Sequence, residues 1–83
     1  MYIFKMTYSF KVFIGSSDGS VCNLKSVRYF YITHLKEQHH VMAHWSNDES
    51  EMILFSSTEK DVADKYLEDL CKFLNSTEKV KLS

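Results

Sequence analysis

Residues 51–75 read EMILFSSTEKDVADKYLEDLCKFLN, and the spacing of apolar residues changes inside this stretch. Before Ser56 the apolar residues of the chain mostly alternate, as strands with one buried face require. After it they recur at three and four, as a helix laid on a sheet requires. Val62, Tyr66, Leu67, Leu70, Phe73 and Leu74 form the predicted buried stripe, with Ala63 beside it. The hydroxyl of Ser57 or Thr58 is the expected cap, because it accepts from free N–H groups of the first turn. Glu59 and Asp61 suit the positive end of the helix dipole, and Asn75 suits the C-terminal stop. A lone helix of this length is marginal in water, so it must dock. Leu70→Asp is expected to unfold the domain.

Working back from the helix, Glu51 to Phe55 reads as a strand, Ser46 to Ser50 as a polar turn, and His40 to Trp45 as a strand with Val41, Ala43 and Trp45 on one side. Lys36 to His39 reads as the turn before it. Val27 to Leu35 is a strand with Val27, Tyr29, Tyr31, Thr33 and Leu35 on one face and Arg28, Phe30, Ile32 and His34 on the other. Aromatic residues on both faces place it centrally in the sheet. Gly15 to Ser20 is the clearest turn, because Asp18-Gly19 is a hairpin signal and glycine accepts positive φ. Val21 to Leu24 is a short apolar piece with a bend at Asn23. From Tyr2 to Ile14 every even position is apolar or aromatic, while Lys5, Thr7, Ser9 and Lys11 are polar. One long strand is favoured there over two strands that share the phase across a break near Thr7, although strands usually run about five or six residues.

The expected fold class is therefore α+β: an antiparallel sheet of about four to five strands over residues 2–55, packed by one C-terminal helix over 58–75. Residues 76–83 are expected to be a loose polar tail of the same single domain. At 83 residues there is one core, and a chain this short buries about 60–65% of its unfolded surface. A composition 45% hydrophobic and 14% aromatic is too apolar for disorder.

A net charge of −1 supplies no global field for nucleic acid or an anionic membrane. The only local basic cluster is thin: Lys5, Lys11, Lys25, Arg28 and Lys36. Cys22 and Cys71 are too few for a disulfide scaffold and read as packed thiols. The N-terminus lacks an unbroken apolar stretch with a cleavage site, and no run reaches the roughly 18 apolar residues of a membrane span. A cytoplasmic protein without membrane attachment is the expectation.

Chemistry-bearing clusters are weak. His34, His39, His40 and His44 are close in sequence, yet residues four apart on a strand stand about 13 Å apart, so His40 and His44 cannot share one ion. His34 and His44 are the pair that a hairpin would bring together; solvated or edge histidines are the plainer reading. Cys71 at the margin of the stripe suits packing better than nucleophilic attack, which needs an exposed thiol of lowered pKa. The serines around Asp18-Gly19 match no phosphate-loop spacing. Asp61, Asp64 and Glu68 share one helix face, as a nucleic-acid mimic would, but Lys60, Lys65 and Lys72 dilute it. Arg28, Tyr29, Phe30 and Tyr31 have the makings of a stacking platform, though the core needs most of these rings. No catalytic, cofactor or metal site is expected.

The stretch Val21-Cys22-Asn23-Leu24-Lys25-Ser26-Val27, followed by Tyr29-Phe30-Tyr31-Ile32, resembles a segment that opens the main sheet in short orphan proteins of low-GC Gram-positive bacteria and their phages. Residues Phe55 to Leu67 are similar to the final helix of those proteins. The motifs are structural, and Cys22 stands where such proteins often carry Val. The resemblance implies an accessory protein of a phage or mobile element, of the kind that inhibits host machinery, anti-CRISPR inhibitors included; it brings no catalytic residue.

The aromatic surplus and open sheet edges point to a non-enzymatic protein-interaction module that binds and inhibits a host protein, with a homodimer compatible on the same grounds. The expected contact residues are Arg28, Phe30, His34, His40, His44 and Trp45, since Trp and Arg dominate interface energies. The alternative is nucleic-acid binding through Lys5, Lys11, Lys25 and Arg28.

Overall fold

In the computed structural model, residues 2–7, 13–16, 18–45, 50–75 and 77–81 are described. The strands are β1 (Tyr2–Met6), β2 (Phe13–Gly15), β3 (Val21–Asn23), β4 (Val27–Leu35), β5 (Gln38–Trp45), β6 (Glu51–Ser57) and β7 (Thr77–Lys81), with one helix, α1 (Lys60–Leu74), between β6 and β7. Five strands form an antiparallel sheet in the order β6-β5-β4-β1-β7, and β2 pairs with β3 in a separate ribbon. The α+β class holds, with β4 at the centre of the sheet as its two-faced pattern requires.

The long N-terminal strand does not form. β1 ends at Met6, and β2 belongs to the other sheet. Alternation alone could not reveal this, because both strands keep the same phase. Residues 8–12, where part of that strand was expected, lie outside the described residues. Val21–Asn23 likewise sits in the ribbon and does not open the main sheet. The ribbon closes as expected at Asp18-Gly19: Gly19 has φ of 91°, and Ser16 N–H donates to the Ser20 carbonyl at 2.8 Å. The Asp18 carboxylate accepts from the Ser16 hydroxyl and from Ser20 N–H, and these bonds lower its pKa to about 2. At the bend, the Asn23 side-chain oxygen accepts from Lys25 N–H at 3.0 Å.

Two bulges reset which residues share a face. On β4, Val27 and Tyr29 oppose the consecutive residues Trp45 and His44, so Arg28 is the extra residue. The bulge flips the phase, because a one-residue slip reverses every side chain. Val27 consequently joins Phe30 in the core and leaves the face of Tyr29, where strict alternation placed it. On β6, Ile53 and Phe55 oppose Met42 and Val41, so Leu54 is extra; it is fully buried.

The β4–β5 connection is tighter than expected. Gln38 and His39 already belong to β5, and only Lys36 and Glu37 turn, both with positive φ (54° and 62°). That is the two-residue hairpin whose twist matches the strands, built here without glycine.

Helix α1 starts at Lys60 with Glu59 as its N-cap and no side-chain cap. Ser57 remains in β6, and its Oγ accepts from Glu59 N–H at 3.0 Å, so it shapes the entry to the helix without capping it. The expected stop at Asn75 is present: its φ is 50°, and its N–H donates to the Cys71 carbonyl at 2.9 Å. The buried stripe is Ala63, Leu67, Cys71 and Leu74, flanked by Tyr66 and Leu70. Val62 and Phe73 are instead exposed. Two residues, Thr58 and Glu59, join β6 to α1, and the rotation that turns Ala63 onto the sheet leaves its neighbour Val62 exposed.

Residues 77–81 are no loose tail. They form β7, registered along all of β1 from Tyr2↔Lys81 to Met6↔Thr77. An edge strand needs only one paired side and tolerates charge, which is why its polar sequence gave no strand signal. The core joins Phe30, Val41, Ala43 and Leu54 to the helix stripe, to Cys22 of the ribbon and to Leu24 just after it. Both cysteines are free and buried, and burial pushes both thiols up.

Candidate functional site

Directly opposed residues of neighbouring strands share a face, so the register sorts the side chains. Tyr29↔His44, Tyr31↔Met42 and Thr33↔His40 look away from the helix, as do Lys5 opposite Tyr29 and Glu51 and Ile53 opposite His44 and Met42. This helix-free face is aromatic and apolar at its centre. The Tyr29 ring stacks on His44 at 4.7 Å, with planes 15° apart, and lies 5.7 Å from Tyr31. Met42 is only 7% exposed beneath these neighbours, while Ile53 at the margin is 47% exposed.

Glu51 ties the cluster together. Its Oε1 accepts from the Tyr31 hydroxyl and lies 3.3 Å from His44 Nδ1. A carboxylate can only accept, so Nδ1 carries the proton in that contact. Burial, then the bond to Glu51, pushes the Tyr31 phenol well above the ordinary tyrosine range. Farther along, His40 Nδ1 and Ser56 Oγ share a hydrogen bond of 2.6 Å. The arrangement fixes ring orientation and presents a shaped surface.

The six expected contact residues do not form one patch. His40 and His44 lie on the helix-free face. Phe30 is completely buried in the core and cannot meet a partner, because it points under the helix. Trp45 is half-buried and packs against the same core. His34 faces the helix side, where its ring stacks on His39 at 4.3 Å and 8°. Arg28 is the exposed bulge residue. His34 and His44, the expected cross-hairpin pair, are on opposite faces; His34 pairs with His39 instead. Among the described residues no three of His, Cys, Asp and Glu come together as a metal site would need.

Of the four cations of the nucleic-acid reading, Lys5 is on the helix-free face, Lys25 in the turn after β3 and Arg28 in the bulge. Lys11 lies outside the described residues. On the helix, Asp64 is held by Lys60 at 2.7 Å and Asp69 by Lys65 at 3.3 Å, so two of its carboxylates are already neutralised.

The two sheet edges differ. β7 carries Glu78, Lys79 and Lys81 within its five residues, whereas β6 carries Glu51 alone within seven. Among the described residues β6 pairs only with β5. Charge protects an edge from further pairing, and β6 lacks that protection. Sequence reading identified the β6 segment as a strand but could not assign it to an edge, since strand order is not written in local pattern.

A concavity lies on the helix side. A helix is about 10–12 Å wide and five strands span roughly 20 Å, so α1 over β4, β5 and β6 cannot also cover β1 and β7. The gap is a cleft of about 580 Å³.

In comparisons with known proteins, the chain matches no family model, no curated relative and no solved structure. Among the described residues no helix is long and apolar enough to cross a membrane.

Proposed function

We propose that this chain is a non-enzymatic protein-interaction module that takes an extended segment of a partner protein onto strand β6. The observation that carries the reading is the contrast between a charged β7 edge and a nearly uncharged β6 edge beside an apolar face. Backbone bonds along such an edge give affinity, and side-chain pockets beside it give specificity. Ile53 and Tyr31 would supply those contacts, with Met42 packed beneath them and Glu51 and His44 fixing their orientation. The accessory-protein context implied by the resemblance makes a host protein the partner.

The test uses Ile53→Lys, which adds a charge to the edge without touching the core, and Lys81→Glu on β7 as the control. Proteins captured from a host lysate by the wild type and by Lys81→Glu, but lost by Ile53→Lys with an unchanged circular dichroism spectrum, support the assignment. Retention of every captured protein by Ile53→Lys removes it. Sedimentation of the isolated chain tests a second copy as the occupant: a dimer abolished by Ile53→Lys puts that copy on β6 in place of a host protein. Nucleic acid is tested by a salt series, since binding to phosphates weakens steeply as salt rises. Glu51 within the face opposes that reading.

A further inference from the structure

The cleft between α1 and the β1–β7 half of the sheet has the dimensions of a small-molecule site, which typically spans about 300–1,000 Å³. Its floor is apolar: Phe4 from β1, Ile32 from β4 and Leu67 from α1. The charged groups around it are not equivalent. Asp64 is neutralised by Lys60. Lys79 makes no ion pair among the described residues; its Nζ stands over the Tyr2 ring, 4.5 Å from the centroid, and 5.8 Å from that of Phe4. The ring faces orient this exposed ammonium toward the cleft without supplying a full counter-charge. The stacked His34 and His39 rings add flat surface and ring N–H groups to the same cleft.

We propose that this cleft binds a flat apolar monocarboxylate, such as an aromatic acid, with its ring on the Phe4, Ile32 and Leu67 floor and its carboxylate on Lys79. A single negative charge is specified because Glu68 on the helix wall opposes a second. The cleft lies on the side of the sheet opposite Tyr29, Tyr31 and His44, so the proposal stands apart from partner binding at β6.

The probe is 2-naphthoate, followed by isothermal titration and by NMR of the backbone amides, with neutral 2-naphthamide as its isostere. The expected result is saturable 2-naphthoate binding that perturbs Phe4, Ile32 and Leu67 and leaves Tyr31 and Ile53 unmoved. Lys79→Gln, an exposed edge-strand change, weakens it about tenfold, as loss of one charge-assisted bond does. Glu68→Gln tightens it by about twofold or more, and 2-naphthamide binds at least about tenfold more weakly. No saturable binding up to about 5 mM, equal affinity for the amide, or indifference to Lys79→Gln overturns the proposal. Shifts centred on the helix-free face overturn it too, by placing the probe elsewhere.

Discussion

The rings of Phe55 on β6 and Tyr66 on α1 lie flat against each other, centroids 4.5 Å apart and planes within 4° of parallel. This contact joins the last strand before the helix to the second turn of the helix itself. It fixes the rotation of α1 about its axis, and that rotation places Ala63, Leu67, Cys71 and Leu74 on the sheet. Tyr66 and Leu67 should therefore be far more sensitive than Val62, which the periodicity also placed in the stripe but which is exposed. Leu67→Ala is expected to cost about 2–4 kcal/mol and Tyr66→Ala about 2–3 kcal/mol. Val62→Ala, at 46% exposure, should cost less than about 1 kcal/mol. Urea unfolding of the three variants checks the order; a Val62 loss as large as that of Leu67 would mean the helix is turned the other way.

The helix, its stop at Asn75 and the central strand Val27–Leu35 were legible because each carries several residues in one period. What escaped depends on one residue or on distant pairing. A bulge at Arg28 or Leu54 shifts a face without altering composition. The break between β1 and β2 keeps the alternation unbroken. β7 is specified by its register with β1, far off in sequence, and its lysines argue against a strand locally. The candidate surface was half legible: Tyr29, Tyr31, His44 and Ile53 were visible as strand residues. Their common face required the β4–β5–β6 register, and the cleft required knowing that Lys79 returns beside Tyr2.

That return gives a second prediction. β7 covers the whole of β1 in register, so a chain ending at residue 76 would leave β1 as a bare edge carrying Ile3, Phe4 and Met6. Exposed apolar edges recruit other strands. Truncation should lower the urea midpoint and produce concentration-dependent association in light scattering. A truncated chain that stays monomeric with an unchanged midpoint would show that β7 contributes nothing.

The β4–β5 turn is a place to gain stability. Lys36 and Glu37 both adopt left-handed backbone, which costs an ordinary residue about 1 kcal/mol or more. Asn-Gly meets the same geometry with little strain. Lys36→Asn with Glu37→Gly is expected to add about 1–2 kcal/mol, raising Tm by roughly 4–8 °C per kcal/mol. Thermal unfolding at one heating rate checks it. A fall in Tm would mean the lysine or glutamate side chain makes a contact worth more than the strain.

Alkaline pH should reveal the raised phenols of Tyr31 and Tyr66. Burial raises both phenols from the ordinary value of 10.0, and for Tyr31 the bond to Glu51 adds to it. The unfolded chain then loses these protons at lower pH than the folded one. Their contribution to stability is fully present below about pH 10 and is lost as pH rises through the folded values. The urea midpoint of the wild type should thus fall above about pH 10 more steeply than that of Tyr31→Phe with Tyr66→Phe, which has nothing to ionise at either position. Absorbance of phenolate near 295 nm, compared between the wild type and the double variant, should show Tyr31 and Tyr66 titrating late. Parallel decline of the two proteins, or early ionisation of all the tyrosines, would place both rings in solvent and undo both the Glu51 cluster and the Phe55 stack.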